Sequence, residues 1–364
     1  MENLRIPGPT PCPEPVLQAM TKQMINHRGS EFAEITNNVT TNLKNLFQTK
    51  NDLFILTGSG TGGMEAAVVN MLSAGDKVLS VSNGVFGDRF ATIATTFGAD
   101  VTTLKFEQGK VDDVDAVKKA LDADPKIKAV LLTHNETSTG ITNPLEQLAK
   151  LVKSYDKLLI VDCISSMGSI DVPVDKWGID VALSGSQKGW MVPPGLAFAA
   201  VSPTAWKAQA VSKMPKFYWD FSKAKKYLEK GQTPWTPAVS VFYALNVSLK
   251  LMQAEGMQNI FARHAKLGAM TRKGVKDMGL KLLAVDEKYA SNTVTAVWPP
   301  AGIDPDKLRK TLRDKSQVVL SGGQGALEGK IFRIGHLGMC EEKDIANALA
   351  ALKSGLKDHG FAAK

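Results

Sequence analysis

"LFILTGSGTGGMEAAVVNML", residues 53–72, runs an apolar segment into a glycine-rich turn and out into a helix-like stretch, with Gly58, Gly60 and Gly63 spelling G-x-G-x-x-G. Such a strand–turn–helix junction aims free backbone N–H groups and the positive end of a helix dipole at an anion. The turn therefore reads as a phosphate cradle, and the rest of the chain has to say whose phosphate. A dinucleotide site also needs an acidic residue closing the next strand, about 20 residues past the glycines, to hold the ribose hydroxyls. Asp76 has nearly that spacing but precedes the next strand, whose end carries Ser82 and Asn83 instead. A simpler phosphate cradle is the better fit.

Working outward, strand-like runs at 53–57, 77–82, 101–106, 129–134, 158–163, 181–186 and 196–202 alternate with amphipathic stretches such as 114–121 and 145–155. Seven short apolar runs separated by helical patterns predict an α/β fold, with a buried, mostly parallel sheet covered on both faces. The link between the last two runs is too short for a parallel crossover, which takes a dozen or more residues, so the final strand is expected to be antiparallel. From Pro237 to Met278 the pattern is helical with a break at Gly256. It is followed by "SNTVTAVW", "DPDKLRKTLRDK", "KIFRIGHLG" and a final helical stretch from Glu342. The expected division is an N-terminal arm and large domain over 1–256, and a small α+β domain over 257–364.

The chain has 364 residues, 44% of them hydrophobic, enough to bury a large core, and a formal net charge of +8. Its Lys and Arg residues are scattered among Asp and Glu rather than blocked, which argues against nucleic acid and for a local basic pocket taking small anions. Cys12, Cys163 and Cys340 lie far apart with no C-x-x-C spacing, so neither a disulfide framework nor a metal site is indicated. No run approaches the roughly 18 consecutive apolar residues of a membrane span. A cytoplasmic protein with no membrane role is the expectation.

Ligands of open α/β sheets sit at the carboxyl ends of the strands. Those ends carry Ser59, Gly60 and Thr61, then "SNGVFGDRF", "HNETSTG", Asp162 and "SGSQKG". Lys188, on a tight turn beside a buried sheet, and Asp162, closing the neighbouring "LLIVD", are the informative pair. An acidic group at the end of an apolar strand needs a positive partner. A lysine for Schiff-base formation and an acid for a pyridinium nitrogen are what pyridoxal phosphate requires. The glycine turn, with Gln187, would then take the phosphate, Phe86 could lie on the ring, and Thr137 could donate to the ring oxygen. His134 reads as a structural histidine.

Together "PGPTPCPEPVLQAM", "GSGTGGMEAA", "HNETSTGITNPL", "WGIDVALSGSQKG", "TPWTPAVSVFYAL", "SNTVTAVWPP" and "KIFRIGHLG" resemble the class V, fold-type I pyridoxal-phosphate aminotransferases. The likeness covers almost the whole chain, in order, and is greatest to the alanine–glyoxylate, serine–glyoxylate and serine–pyruvate group. The resemblance implies Lys188 as the Schiff-base lysine and Asp162 as the partner of the ring nitrogen. It assigns Ser59, Gly60, Thr61 and Gln187 to the phosphate and ring surroundings, Phe86 to the stacking position and Thr137 to the ring hydroxyl. Arg333 matches the arginine that grips the substrate carboxylate, a task suited to a guanidinium fork. It further implies a homodimer in which Thr236 reaches the partner's phosphate, and an N-terminal segment at Gly8 lying over the substrate. Thr233 stands where some members carry tyrosine.

The implied activity is ping-pong transfer of an amino group from serine or alanine to glyoxylate or a similar 2-oxo acid. A lyase or cysteine desulfurase of the same fold is the nearest alternative, with Cys340 as its only plausible sulfur acceptor. From other classes, a nicotinamide-dependent dehydrogenase and a non-catalytic subunit of a larger complex stay open.

Overall fold

The apolar runs assemble as expected. In the computed structural model, which describes residues 2–362, seven strands form one sheet in the spatial order Asp52–Thr57, Leu196–Val201, Val181–Gly185, Leu158–Asp162, Ala129–Thr133, Lys77–Ser82 and Asp100–Lys105. All neighbours pair in parallel except Leu196–Val201, which runs antiparallel to the strands on both its sides. The ten-residue link before that strand permits nothing else.

Alternate residues feed two apolar layers. Leu53, Ile55, Leu159, Val161 and Phe198 pack beneath the helices Ser30–Phe47 and Val239–Glu255, with Phe32, Phe47, Trp190 and Phe242. Phe54, Leu56, Leu158, Ile160 and Leu183 pack on the other face against the helices Gly60–Met71 and Val85–Thr96. The inner strands are buried on both sides, which is why they read as continuous apolar runs rather than alternating ones, while the edge strand Asp100–Lys105 is partly exposed.

Gly256, at φ 83°, ends the helix Val239–Glu255 and begins the helix Met257–Asp277. Only a residue without a Cβ takes that conformation cheaply. Beyond it a second sheet follows the order Asn3–Arg5, Val318–Gly322, Phe332–Gly335, Val294–Trp298 and Lys281–Leu282. It is backed by the helices Pro305–Ser316 and Glu342–Asp358 through a core of Leu308, Leu312, Phe332, Ile334 and Leu352. The N-terminal strand joins this sheet by parallel pairing of Asn3–Arg5 with Val318–Leu320. We propose that the domain boundary falls at Gly256, with the arm of residues 3–5 crossing to the small sheet. Among the described residues no helix is long and apolar enough to cross a membrane.

Candidate active site

The turn that carries Lys188 is held from below. Trp190 is fully buried, donates through Nε1 to Ser184 Oγ at 2.8 Å, and stacks on Phe47 with ring centroids 5.7 Å apart. Ser186 Oγ donates to the Pro193 carbonyl (2.7 Å) and accepts from the Leu196 amide (3.2 Å), closing the turn between the two strands. Lys188 is thereby fixed at the sheet edge. It is 9% exposed, and its Nζ donates to the Pro7 carbonyl at 2.7 Å. A second tie joins the same segments, because Thr10 donates through its amide to the Gln187 carbonyl (3.1 Å) and through Oγ1 to the Lys188 carbonyl (3.0 Å). Gly8 lies so close that a Cβ there would sit 2.6 Å from Lys188 Nζ.

Asp162 ends the neighbouring strand. It is 4% exposed, and its Oδ1 accepts the Ile164 amide at 2.8 Å. Burial pushes its carboxyl up to about 7, against the pull of that amide, Lys188 and Arg89. Burial lowers Lys188 to about 8, with Arg333 and Arg89 adding to the effect and Asp162 opposing it. An acid and an amine whose protons are this loosely assigned occupy one buried crevice, as functional sites commonly require.

Arg333 comes from the small sheet. It donates through Nε to the Gly322 carbonyl (2.8 Å), and through Nη1 to the Thr137 carbonyl (2.9 Å) and Gln324 Oε1 (3.2 Å). Among the described residues its Nη2 meets no acceptor, leaving one edge of the guanidinium to face a ligand. Burial lowers Arg333 to about 10, partly offset by Glu136.

The glycine turn stands at the start of the helix Gly60–Met71. Ser59 occupies the position before the helix Gly60–Met71 and makes no side-chain cap, so the leading N–H groups have no partner from their own helix. Gly60 is pressed against Ile164, where a Cβ would come within 2.6 Å of Cδ1. Thr61 Oγ1 accepts from Arg89 Nη1 at 3.3 Å, and the Arg89 guanidinium lies 4.7 Å from the centroid of the Phe86 ring. Phe86 lies in the first turn of the helix Val85–Thr96, where the sequence suggested a loop.

The matching family model is that of the aminotransferases of class V, over residues 3–340. The chain belongs to the class V aminotransferases. It is 37% identical to the serine–glyoxylate aminotransferase of Arabidopsis thaliana, over 99% of this chain and 91% of that one. It is 45% identical to a Synechococcus protein named soluble hydrogenase, small subunit, over 98% of this chain and 94% of the relative. Among solved structures, the ureidoglycine–glyoxylate aminotransferase of Bacillus subtilis superposes with a TM-score of 0.94 at 31% identity, covering 100% of this chain and 95% of that one.

Class V aminotransferases depend on pyridoxal phosphate, and the crevice suits it. A buried lysine and a buried acid line the crevice, and the first turn of the helix Gly60–Met71 presents unpaired donors to an anion. In this class V chain the structure gathers Lys188, Asp162, Arg333, Gly8, Thr137, the Ser59–Thr61 turn and Phe86 around the carboxyl ends of the strands. Thr233 and Thr236 stand apart. Thr233 turns its hydroxyl to the Trp235 carbonyl (2.7 Å), its own carbonyl accepts from Arg28, and Thr236 is exposed. His134 packs edge-on against Trp177 and is lowered to about 4 by burial. Cys163 and Cys340 are buried, and Cys340 is pushed up to about 11.

Two residues escaped the sequence reading. Arg89 stands one helical turn after Phe86. Glu136, inside "HNETSTG", is completely buried. Their significance depends on contacts with distant segments, for which the local sequence carries no signal beyond a charge next to a strand end.

Proposed function

We propose that this aminotransferase moves the amino group of a small amino acid, serine or alanine, to glyoxylate or a similar 2-oxo acid by ping-pong kinetics. The observation that carries the reading is the convergence of Lys188, Asp162 and Arg333 at one buried point. The serine–glyoxylate and ureidoglycine–glyoxylate activities named for the relatives support the substrate class. When bound, pyridoxal phosphate supplies an aldehyde that condenses with amines and a ring that accepts the electron pair left at the substrate α-carbon.

The chain's own residues do the rest. Asp162 is the carboxylate that keeps the ring nitrogen protonated. Lys188 Nζ, tuned towards neutrality by burial, takes the proton from the α-carbon and gives it back. Arg333 holds the substrate carboxylate through its open edge, which orients the α-hydrogen towards Lys188. Backbone donors at Ser59, Gly60 and Thr61, with Gln187, hold the phosphate, Phe86 covers the ring, and the Thr137 hydroxyl, which donates to Ser165 Oγ at 2.8 Å here, would turn its proton to the ring oxygen. Gly8 closes over the substrate.

We further propose a cytoplasmic homodimer in which Thr233 and Thr236 serve the partner's phosphate, which accounts for their standing apart from Lys188 in a single chain. The decisive experiment is the visible absorption of the cofactor-loaded protein with L-serine and no keto acid. The band is expected to fade and then return with glyoxylate. A band that neither serine nor alanine disturbs would overturn the substrate assignment.

A further inference from the structure

The side chain of Glu136 is surrounded by donors rather than by cations. Its Oε2 accepts the amides of Phe86 (3.0 Å) and Gly87 (3.1 Å), and its Oε1 accepts the Ser138 amide (3.0 Å) and hydroxyl (2.5 Å). Ser138 Oγ in turn accepts the Val85 amide at 3.0 Å. Three successive first-turn N–H groups of the helix Val85–Thr96, which have no acceptor in their own helix, are thus satisfied by residues 136 and 138. The fit is close enough that a Cβ on Gly84 would lie 2.5 Å from Glu136 Cδ.

The residue between them faces the other way. The Thr137 carbonyl holds Arg333 Nη1 at 2.9 Å, and the Thr137 hydroxyl donates to Ser165 Oγ at 2.8 Å. A three-residue bridge therefore fixes the start of the Phe86 helix on one side and the Arg333 guanidinium on the other. Burial raises the Glu136 carboxyl while its hydrogen bonds with Ser138, Gly87 and Phe86 oppose the rise, and its charge acts on Arg333, Asp162 and Asp112.

We infer that Glu136 is a positioning residue that couples the aromatic cover of the cofactor to the arginine that grips the substrate. Displacing its carboxylate loosens both at once, although it touches neither cofactor nor substrate. The inference builds on the aminotransferase reading above, and its first test does not depend on that reading.

Glu136→Gln keeps the length of the side chain but turns an N–H₂ towards N–H donors, losing one pair of bonds. In the cofactor-free protein, amide hydrogen exchange is expected to quicken together in peptides containing Val85–Gly87 and in those containing Arg333, while the helix Ser30–Phe47, on the other face of the large sheet, is unchanged. In the loaded enzyme the dissociation constant of pyridoxal phosphate and the KM of the amino donor should each rise about tenfold, with a smaller fall in kcat. Ser138→Ala, which removes the Val85 acceptor, should give a weaker version of the same paired pattern and serves if the first variant does not fold. Faster exchange confined to Val85–Gly87, or an unchanged KM, would reduce Glu136 to a helix cap and overturn the coupling. Failure of the wild-type protein to take up pyridoxal phosphate would instead overturn the aminotransferase reading and leave the exchange result to decide the coupling.

Discussion

The Nζ of Lys188 donates a 2.7 Å hydrogen bond to the carbonyl of Pro7, across 181 residues of sequence. The amine that is to carry the proton is thus held by the backbone of the N-terminal arm, and the crevice is built from three parts: large sheet, small sheet and arm.

Lys188→Ala removes the only amine that the described residues place at that point. The half-reaction with L-serine should slow by at least about 10²–10⁴-fold, the range that a positioned acid–base group contributes. Dialysis against cofactor-free buffer should also strip pyridoxal phosphate faster than from wild type. A variant that retained the wild-type rate would sink the role given to Lys188.

Arg333→Lys keeps the charge and loses the planar fork. The KM for the amino donor should rise roughly 10- to 100-fold, as expected for losing about one charge-assisted hydrogen bond of 1.5–3 kcal/mol, with kcat changed less. Steady-state kinetics on the loaded enzyme read this directly, and an unchanged KM would argue for another carboxylate site.

Asp162 sets a pH dependence in the cofactor-free protein. Its folded carboxyl stands at about 7 against an ordinary 3.8, so between those values the folded state binds more protons than the unfolded chain. Stability therefore falls as pH rises through that window and stays low above it. At about 1.4 kcal/mol per unit, the loss is on the order of 4 kcal/mol. Lys188 acts at higher pH, since it is lowered to about 8 from 10.5 and the unfolded chain binds more protons between the two, so stability recovers there as pH rises. Thermal melts should show Asp162→Asn flattening the acid-side decline and raising Tm at neutral pH while abolishing transamination. A wild-type melting profile that climbs from pH 4 to 7 would contradict this sign.

Gly8→Ala tests the arm. Gly8 has φ 132°, and the added methyl would lie 2.6 Å from Lys188 Nζ and 2.8 Å from its Cδ. Backbone strain of about 1–3 kcal/mol is expected, together with displacement of Lys188 from Pro7 and a fall in activity of about tenfold or more. Wild-type kinetics in a variant of unchanged Tm would show that the arm gives way freely.

The sequence was most legible where burial is two-sided. All seven large-sheet strands lie where short strand-like runs predicted them, with ends within about a residue; the inner ones were plainest, since a strand covered on both faces carries few polar residues, whereas the edge strand Asp100–Lys105 is partly exposed and carries two threonines. The antiparallel Leu196–Val201 followed from loop length alone. The helix Ser30–Phe47 did not stand out, since its buried stripe of Phe32, Val39, Leu43 and Phe47 is diluted by Thr and Asn, weak helix formers. Asn3–Arg5 is too short to signal a strand and exists only by pairing with Val318–Leu320. Lys188 and Asp162 were readable because a charge closing an apolar strand is costly without a purpose. Glu136 shares that trait, but its partners at Phe86 and Gly87 come from the start of another helix, and no local pattern announces a carboxylate satisfied by backbone amides and one hydroxyl.

The arm's pairing also sets an order of assembly. Residues 3–5 emerge from the ribosome before nearly everything they touch, yet their strand has no neighbour until residues 318–320 have been made. Thr10 and Pro7 likewise wait for the turn at 187–188. A segment translated long before its partners is among the last to dock, so the large sheet can be complete while the crevice around Lys188 still stands open to water, and the site closes only when the small sheet does.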